Sequence, residues 1–317
     1  MSKIYHFLRL IRSLNLLVIV FTMYSVQYFI SNYSPDVQLT DFRFMLLVFS
    51  VVIIAAAGNI INDYFDVKAD RVNKPERLII DKHIKRRWGI MFNWLFNFVG
   101  FSIAVYISII SDQYLIVLLA SFSIVLLWLY SMLLKRRALI GNLAVAFLVA
   151  LVPLYALLFY TADVHLIEGL EKEHKDYYVF IIVMGFAGCA FFINLLREIT
   201  KDLADIIGDK KIDANTDPIK YGVLSTKVLI AIVAAVYIVF LIYLYLKLDH
   251  LLFSNAEALL GINASFPIVV GVLSAFVLTF LVGVLVTVFS KSTKSYKLGS
   301  NLYKIAMLAG VSLIFFL

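Results

Sequence analysis

The sequence predicts an all-α, polytopic membrane protein with nine transmembrane helices. Three observations lead to this prediction: 62% of the 317 residues are hydrophobic, only 15% are charged, and the mean hydropathy is +0.94. Soluble domains usually contain about 45–50% apolar and about 25% charged residues. We expect the whole chain, residues 1–317, to form a single transmembrane domain.

Nine apolar stretches are long enough to cross a hydrocarbon core about 30 Å thick. They are residues 14–31, 42–61, 88–110, 114–134, 139–160, 177–196, 222–246, 267–290 and 301–317. The first stretch lacks a small-residue cleavage site and is followed by further spans, so we interpret it as a helix and not as a signal peptide. Cys189 is the only cysteine, which excludes an internal disulfide and a cysteine-based metal site.

Basic residues are concentrated on one side of the predicted helices. With a cytoplasmic N-terminus, 24 of the 28 Lys and Arg residues fall in segments that face the cytoplasm. The positive-inside rule therefore predicts that the N-terminus is cytoplasmic and the C-terminus external, in the cell membrane if the source is prokaryotic. The net charge of +7 would attract anionic lipid or a phosphorylated substrate. Nucleic acid is not an expected partner, and no obligate protein partner is implied.

The second apolar stretch ends in a cluster of metal-binding side chains. Asn62, Asp66 and Asp70 follow one another at four-residue spacing, with Asp63 beside them. On a helix, residues at this spacing differ by only about 40° and share one face. Carboxylates gathered at a membrane edge need cations, which Mg²⁺ or basic side chains can supply. The segment therefore predicts a site for a diphosphate and its metal ion.

A second acidic cluster follows the sixth apolar stretch. Its members, Glu198, Asp202, Asp205 and Asp209, fall within an arc of about 60° on a helix. The two clusters lie four helices apart, which suggests an old duplication with both acidic edges facing a central cavity. Two such faces can hold Mg²⁺ ions that also bridge the oxygens of a diphosphate. The alternative is that both clusters are ion-pair caps at the membrane surface. This alternative accounts well for one such cluster and less well for two together.

Taken together, the motifs resemble those of the UbiA family of intramembrane prenyltransferases. The resemblance rests first on the two aspartate-rich motifs, Asn62 to Asp70 and Asp205 to Asp209. It rests also on the loop from Asp70 to Arg77, on Tyr130 to Lys135 followed by Gly141-Asn142, and on Arg12-Ser-Leu-Asn15. It covers nearly the whole chain and implies nine helices around a central cavity that opens to the cytoplasm.

The resemblance implies Mg²⁺-dependent transfer of a polyprenyl group from its diphosphate to an acceptor, with release of diphosphate. Within the family, the motifs are most similar to those of archaeal-type enzymes that transfer geranylgeranyl to geranylgeranylglyceryl phosphate. Residues 212–218 depart from that branch, and Leu78 stands where proline is common. Loop composition varies with substrate, so prenylation of an aromatic quinone precursor stays open as an alternative.

The resemblance also implies roles for individual residues. One Mg²⁺ would be held by Asn62, Asp66 and Asp70 and the other by Asp205 and Asp209, with Asp63 and Asp202 as helpers. Lys135, Lys201, Arg71 and Arg77 would clamp the diphosphate, and Tyr130 would offer its ring to the allylic cation. Arg12 and Asn15 would contact substrate, although Asn15 fits an interhelical hydrogen bond equally well. The predicted catalytic set is Asp66, Asp70, Asp205, Asp209, Tyr130 and Lys135.

Two functions of another kind compete with an enzyme. A cation or phosphate transporter would use the carboxylates as an ion path. Transporters place charged residues near the bilayer midplane, whereas these clusters follow the apolar stretches. A catalytically silent scaffold would bind a prenyl diphosphate without releasing diphosphate.

Overall fold

The computed structural model describes residues 3–33, 41–73, 75–76, 78–161, 175–211, 214–259 and 266–314. Its helices are α1 (Lys3–Leu10), α2 (Ser13–Tyr33), α3 (Phe42–Asn73), α4 (Arg86–Ile110), α5 (Tyr114–Met132), α6 (Ile140–Thr161), α7 (Lys175–Lys210), α8 (Asp217–Lys220), α9 (Val223–Leu259), α10 (Phe266–Phe289) and α11 (Thr293–Leu313). A 3₁₀ turn, Leu134–Arg136, precedes α6. In these ranges the only β-type pairing is two isolated bridges, so the all-α prediction is confirmed.

Eight of the described helical segments are long and apolar enough to cross a membrane. They lie in α2, α3, α4, α5, α6, α7, α9 and α10, and the chain is a multi-pass integral membrane protein. The predicted ninth stretch, 301–317, begins inside α11, which carries Lys294, Lys297 and Lys304. The count of nine spans therefore stays a prediction, as does the orientation in the membrane.

Helices α3 and α7, with 32 and 36 residues, are longer than a bilayer requires, as is α9 with 37. At 1.5 Å per residue, each is about 50 Å long, against a hydrocarbon core of about 30 Å. The final turns of α3 and α7 extend past their apolar segments and carry the two acidic clusters. Each cluster thus lies on continuous helix, in agreement with its four-residue spacing.

The helices pack into two apolar clusters that meet at α6 and α7. α3 lies against α4 and α5, while α7 lies against α6, α9 and α11. One cluster draws buried residues from α2 to α7, and the other from α6, α7 and α9 to α11. The outward faces of α4, α5, α9 and α10 carry exposed large apolar side chains, as expected of helices in contact with lipid.

Two local features shape the interior. Ser50 of α3 donates a hydrogen bond to the Gly100 carbonyl of α4 at 2.6 Å, and a Cβ at Gly100 would lie 2.7 Å from Ile54. The absence of a side chain therefore allows α3 and α4 to approach closely. Pro153 lies inside α6, where its missing N–H leaves the Val149 carbonyl without its intrahelical donor.

The first two helices meet at a sharp break. Arg12 lies between α1 and α2 with φ 54°, in the left-handed region that non-glycine residues seldom adopt. Beside this break, the loop 78–85 folds back over the end of α3 and buries Ile79 and Ile80 in a cluster with Leu10. The break and the loop together enclose the acidic end of α3.

Candidate active site

A cavity of about 470 Å³ lies between α2, α3, α5, α6, α7 and α11. Its walls are mainly apolar and include Val26, Val51, Val152, Phe186 and Ile314. Along α3 the lining runs from Asn62 back to Val51, about 16 Å along the helix axis. Polar side chains gather at one end, which we call the mouth: Arg12, Asn15, Asn59, Asn62, Tyr130, Asn194, Arg197, Glu198, Lys201 and Lys304.

On α3, two carboxylates of the first acidic cluster pair with cations from distant parts of the chain. Lys135 Nζ lies 2.6 Å from Asp66 Oδ1 and 3.3 Å from Asn62 Oδ1. Arg12 donates a hydrogen bond to Asp63 Oδ1 at 2.9 Å. The side chains of Lys135 and Asp66 are only 10% and 23% exposed, so water screens this ion pair weakly.

Backbone geometry positions Lys135 beside α3. The residue lies in the 3₁₀ turn before α6, and Gly141 in the first turn of α6 passes very close to it. A Cβ at Gly141 would lie 2.7 Å from the Leu134 carbonyl oxygen, so a larger residue would displace the turn. Burial lowers the pKa of Lys135, and the Asp66 carboxylate counteracts part of that shift. The charge of Lys135 therefore depends on its acidic partner.

Arg12 connects the two acidic clusters. Besides its hydrogen bond to Asp63, it interacts electrostatically with Asp66 on α3 and acts on Glu198 on α7. Withdrawal from water would lower the pKa of Arg12, but Asp63, Tyr130 and Asp66 together outweigh this effect and the pKa is raised. The ring of Tyr130 lies close to the same group of charges and interacts with Asp66, Glu198 and Asp202. Each acidic cluster therefore contributes one residue, Asn62 or Glu198, to the lining of the same cavity.

On α7, the carboxylate nearest the mouth is neutralised from its own helix. Glu198 is only 7% exposed. It accepts hydrogen bonds from Arg197 Nη1 at 2.7 Å and from Lys201 Nζ at 2.7 and 2.8 Å. Asp202, one turn further, accepts a hydrogen bond from the Asn142 amide of α6 at 2.7 Å. This side of the mouth thus combines a local ion triad with one contact between helices.

Asp217 is a buried carboxylate that was absent from the predicted site and contacts the α7 side of the mouth through Asn142. Asp217 begins α8 and is 1% exposed. Its Oδ2 accepts hydrogen bonds from the Leu139 backbone N–H at 3.0 Å and from Asn142 at 3.2 Å. Burial raises the pKa of Asp217, and these hydrogen bonds counteract part of the shift. Asn142 therefore bridges Asp202 and Asp217. The only sequence signal for Asp217 was the Asp-Pro pair that it forms with the next residue, which is typical of a helix start.

The mouth contains five of the residues predicted for the site: Arg12, Asn15, Asn62, Tyr130 and Lys201. Asp63, Asp66, Lys135 and Asp202 join them through the contacts given above. Asn15 accepts a hydrogen bond from Lys304 of α11 at 3.4 Å. Of the two roles predicted for Asn15, the structure contains the interhelical hydrogen bond.

Other predicted residues lie away from the mouth. Asp70, Asp205 and Asp209 occupy the last turns of α3 and α7, where all three are partly buried, and Thr216 donates to Asp209 at 3.2 Å. Arg71 is 60% exposed and pairs with Asp81 in the loop 78–85, so this geometry gives no support to its predicted clamp role. Arg77 lies outside the described residues. Five mouth residues were missing from the predicted site: Asn59, Asn194, Arg197, Lys304 and Glu198, the last of which was named in the second acidic cluster without a role.

The donor chemistry of the acidic clusters fits Mg²⁺ that binds together with a phosphorylated substrate. Within the described parts of the chain, no three acidic, histidine or cysteine side chains form a ready-made metal cluster. The side chains that converge instead offer hard oxygen donors, such as Asn62 Oδ1 and the Asp66 carboxylate. Mg²⁺ is usually held by one or two carboxylates together with substrate phosphates. The arrangement therefore suits Mg²⁺ shared with a diphosphate, not a closed metal cage.

The chain is thus an intramembrane protein with an apolar cavity that ends in a charged mouth, an arrangement chemically suited to an amphiphile with an anionic head. Comparison with known proteins is more specific. The UbiA prenyltransferase family matches residues 18–266. The chain belongs to this family, which confirms the resemblance predicted from the motifs and places the chain among transferases.

Individual relatives narrow the comparison. The chain is similar to digeranylgeranylglyceryl phosphate synthase of Thermococcus gammatolerans, with 35% identity over 185 residues, which are 57% of this chain and 58% of the relative. The chain thus spans less than two thirds of that relative's length.

Among solved structures, it is similar to one described as giving structural and mechanistic insights into the biosynthesis of digeranylgeranylglyceryl phosphate synthase in membranes (TM-score 0.63, 22% identity, 100% of both chains). A UbiA homolog from Archaeoglobus fulgidus bound to DMAPP and Mg²⁺ has a TM-score of 0.57 at 16% identity, again over 100% of both chains. These structural matches establish the fold.

Proposed function

We propose that the protein transfers a polyprenyl group from its diphosphate to a lipid acceptor and that the reaction depends on Mg²⁺. The donor we propose is geranylgeranyl diphosphate, and the acceptor is geranylgeranylglyceryl phosphate. The observation that carries the proposal is the cavity, because its apolar walls end in a mouth that joins both acidic clusters. The name of the Thermococcus relative and the DMAPP-bound and Mg²⁺-bound homolog support it.

In the proposed reaction, one bond breaks and one forms at C1 of the prenyl chain. The bond between C1 and the diphosphate oxygen breaks, and the bonding electrons leave with the diphosphate. C1 then bonds to the hydroxyl oxygen of the acceptor, whose proton passes to the released diphosphate. An allylic C–O bond ionises readily where fixed positive charges meet the departing oxygens. We assign this task to Arg12 and Lys201 at the mouth and to Lys135, which lies beside Asn62.

We propose that Asn62, Asp66 and Asp70 on α3, and Asp205 and Asp209 on α7, hold the metal, with Asp63 and Asp202 beside them. Mg²⁺ bound there would stabilise the negative charge that builds on the leaving diphosphate. In the structure, Lys135 and Arg12 neutralise Asp66 and Asp63. This pairing limits the mutual repulsion of carboxylates that lie close together.

The cavity walls would protect the allylic cation from water. Beyond the mouth, the lining is predominantly aliphatic, so little water is held near the reacting carbon. Tyr130 is the aromatic residue of the mouth, and an aromatic face attracts a cation. We therefore propose that Tyr130 stabilises the cation. The excess of basic residues on one side of the membrane supports a mouth that faces the cytoplasm.

The proposal is tested with purified protein in lipid nanodiscs, geranylgeranyl diphosphate, geranylgeranylglyceryl phosphate and Mg²⁺. We expect release of diphosphate together with an equal amount of the diether product, measured by mass spectrometry, and no release when Mg²⁺ is chelated. Turnover with an aromatic quinone precursor alone would favour the alternative acceptor. A folded sample that releases no diphosphate with either acceptor would contradict the proposed function.

A further inference from the structure

The α7 and α11 walls of the mouth carry polar groups that the proposed diphosphate chemistry does not use. Asn194 and Arg197 lie on α7, and Lys304 lies on α11, which packs against α7 and α2. The residues assigned to the metal and the diphosphate on the opposite acidic edge, Asp66 and Lys135, belong to α3 and the turn before α6. These groups on α7 and α11 are therefore available for a second ligand.

Hydrogen-bond donors in this region lack partners. Asn194 is 3% exposed, and its amide nitrogen has no hydrogen-bond partner among the described residues. The same holds for Nε of Arg197, one turn further along α7. Buried donors of this kind normally have a partner, because an unpaired one costs about 1–3 kcal/mol. Both residues line the cavity, so a ligand there can accept these hydrogen bonds.

The charges of the mouth point to an anion. Four cations line it, Arg12, Arg197, Lys201 and Lys304, while Glu198 is its one carboxylate. Arg12 pairs with Asp63, Arg197 pairs with Glu198, and Lys201 is already assigned to the diphosphate. Lys304 forms no ion pair with any residue that the structure describes; its one described partner is the neutral Asn15. Lys304 is therefore the positive charge left for a second anion, such as a phosphate monoester, which carries about −1.5 to −2 at pH 7.

We propose that Asn194, Arg197 and Lys304 form a binding site for the phosphate of a phosphorylated lipid acceptor, distinct from the diphosphate site. This inference rests on the proposed function and deepens it, because it assigns the acceptor class to particular residues. The phosphate fixes the acceptor at the α7 and α11 walls, and its hydroxyl reaches the prenyl C1 in the centre of the mouth. Neutral lipid alcohols and uncharged aromatic rings cannot compensate the charge of Lys304, so the site selects against them.

The experiment compares Lys304→Gln with Lys297→Gln, an exposed lysine two turns earlier on α11. Two acceptors are used, geranylgeranylglyceryl phosphate and its phosphate-free alcohol, geranylgeranylglycerol. Binding of each acceptor alone is measured by the shift in melting temperature on titration, and turnover is measured with each acceptor. Lys304→Arg serves as the conservative variant, and Asn194→Leu tests the α7 wall independently.

We expect Lys304→Gln to weaken binding of the phosphorylated acceptor by about 10- to 100-fold, as for loss of a hydrogen bond between charged groups. The KM for geranylgeranyl diphosphate and the affinity for the alcohol should stay close to wild type, and Lys304→Arg should restore most of the binding. Lys297→Gln should behave as wild type.

Equal binding of the two acceptors by the wild type would overturn the proposed site, as would equal effects of Lys304→Gln and Lys297→Gln. A rise in the KM for the prenyl diphosphate without a change in acceptor affinity would reassign Lys304 to the donor and also overturn it. Acceptor binding that depends on Lys304 in a protein that releases no diphosphate would preserve the site and refute the proposed function.

Discussion

The two acidic clusters each contribute one residue, Asn62 and Glu198, to the same cavity, yet their carboxylates are paired with cations in different ways. On α3, Asp63 and Asp66 pair with Arg12 and Lys135, which are 51 and 69 residues away in sequence. On α7, Glu198 pairs with Arg197 and Lys201, one and three residues away. The α3 edge therefore acquires its cations only when the helices have packed, whereas the α7 triad can form within a single helix. The difference indicates that the ion pairs of Asp63 and Asp66 depend on assembly of the fold, whereas the Glu198 triad depends on local sequence.

Both edges should be needed for activity despite this difference. We expect Asp66→Asn and Asp205→Asn each to lower kcat by about 10²- to 10³-fold, the usual cost of removing a group that stabilises developing charge. The measurement is the initial rate of diphosphate release with saturating substrates. Asp112→Asn is the matched control, because Asp112 lies in the exposed turn between α4 and α5 with φ 50°, which asparagine tolerates. If either edge variant kept near wild-type activity, only the other edge would serve the reaction.

The free energy of unfolding should distinguish the α3 cluster from the α7 cluster, although both clusters should be needed for activity. Lys135→Met should lower the free energy of unfolding by about 2 kcal/mol, because it leaves a shielded carboxylate without its partner. Lys201 is 41% exposed and pairs within its own helix, so Lys201→Met should cost no more than about 1 kcal/mol. Denaturant unfolding in detergent, followed by tryptophan fluorescence, measures both. Equal losses would mean that the contrast between distant and local pairing has no energetic consequence.

The contact between Asn142 and the second cluster offers a finer test. Asn142→Leu removes the donor that holds Asp202 and Asp217 in place. We expect the Mg²⁺ concentration for half-maximal activity to rise about 10-fold, as is typical when a residue that orients a metal ligand is lost. The rate at saturating Mg²⁺ should change much less. A loss of rate that excess Mg²⁺ does not restore would show that Asn142 acts on something other than the metal.

The smallest effect is expected at the loop 78–85. Arg71 is mostly exposed and pairs with Asp81, so Arg71→Gln should change the free energy of unfolding by less than about 1 kcal/mol. Its KM for the prenyl diphosphate should stay within about threefold of wild type, because the guanidinium lies away from the mouth. A much larger rise in that KM would restore the clamp role that the sequence predicted for Arg71.

Much of the fold was predictable because the signals are local. Long apolar stretches give spanning helices, and four-residue spacing places Asn62, Asp66 and Asp70 on one face. The resemblance of several motifs to one family then located Arg12, Tyr130 and Lys135 near the same site. These predictions depend on sequence separation within one helix or on patterns already shared by related proteins.

The remaining features depend on contacts between distant segments. Nothing in the local sequence of Lys304 or Asn194 distinguishes a cavity-lining side chain from a lipid-facing or packed one, since this depends on how α11 and α7 are rotated. Asp217 was missed for the same reason, because its partners belong to α6 and the turn before it. Arg71 was placed in the site because it follows the first motif, but the folded loop supplies Asp81 as a closer partner.

The break at Arg12 connects α1 to the first membrane span and to the acidic end of α3. α1 exposes Ile4, Tyr5 and Leu8 on its surface, a pattern typical of a helix that rests at a lipid interface. The residue that joins this helix to the first span has a strained backbone and also holds Asp63. A force that shifts α1 along the bilayer plane therefore acts directly on Arg12. Movement of α1 would therefore also disturb the ion pair between Arg12 and Asp63.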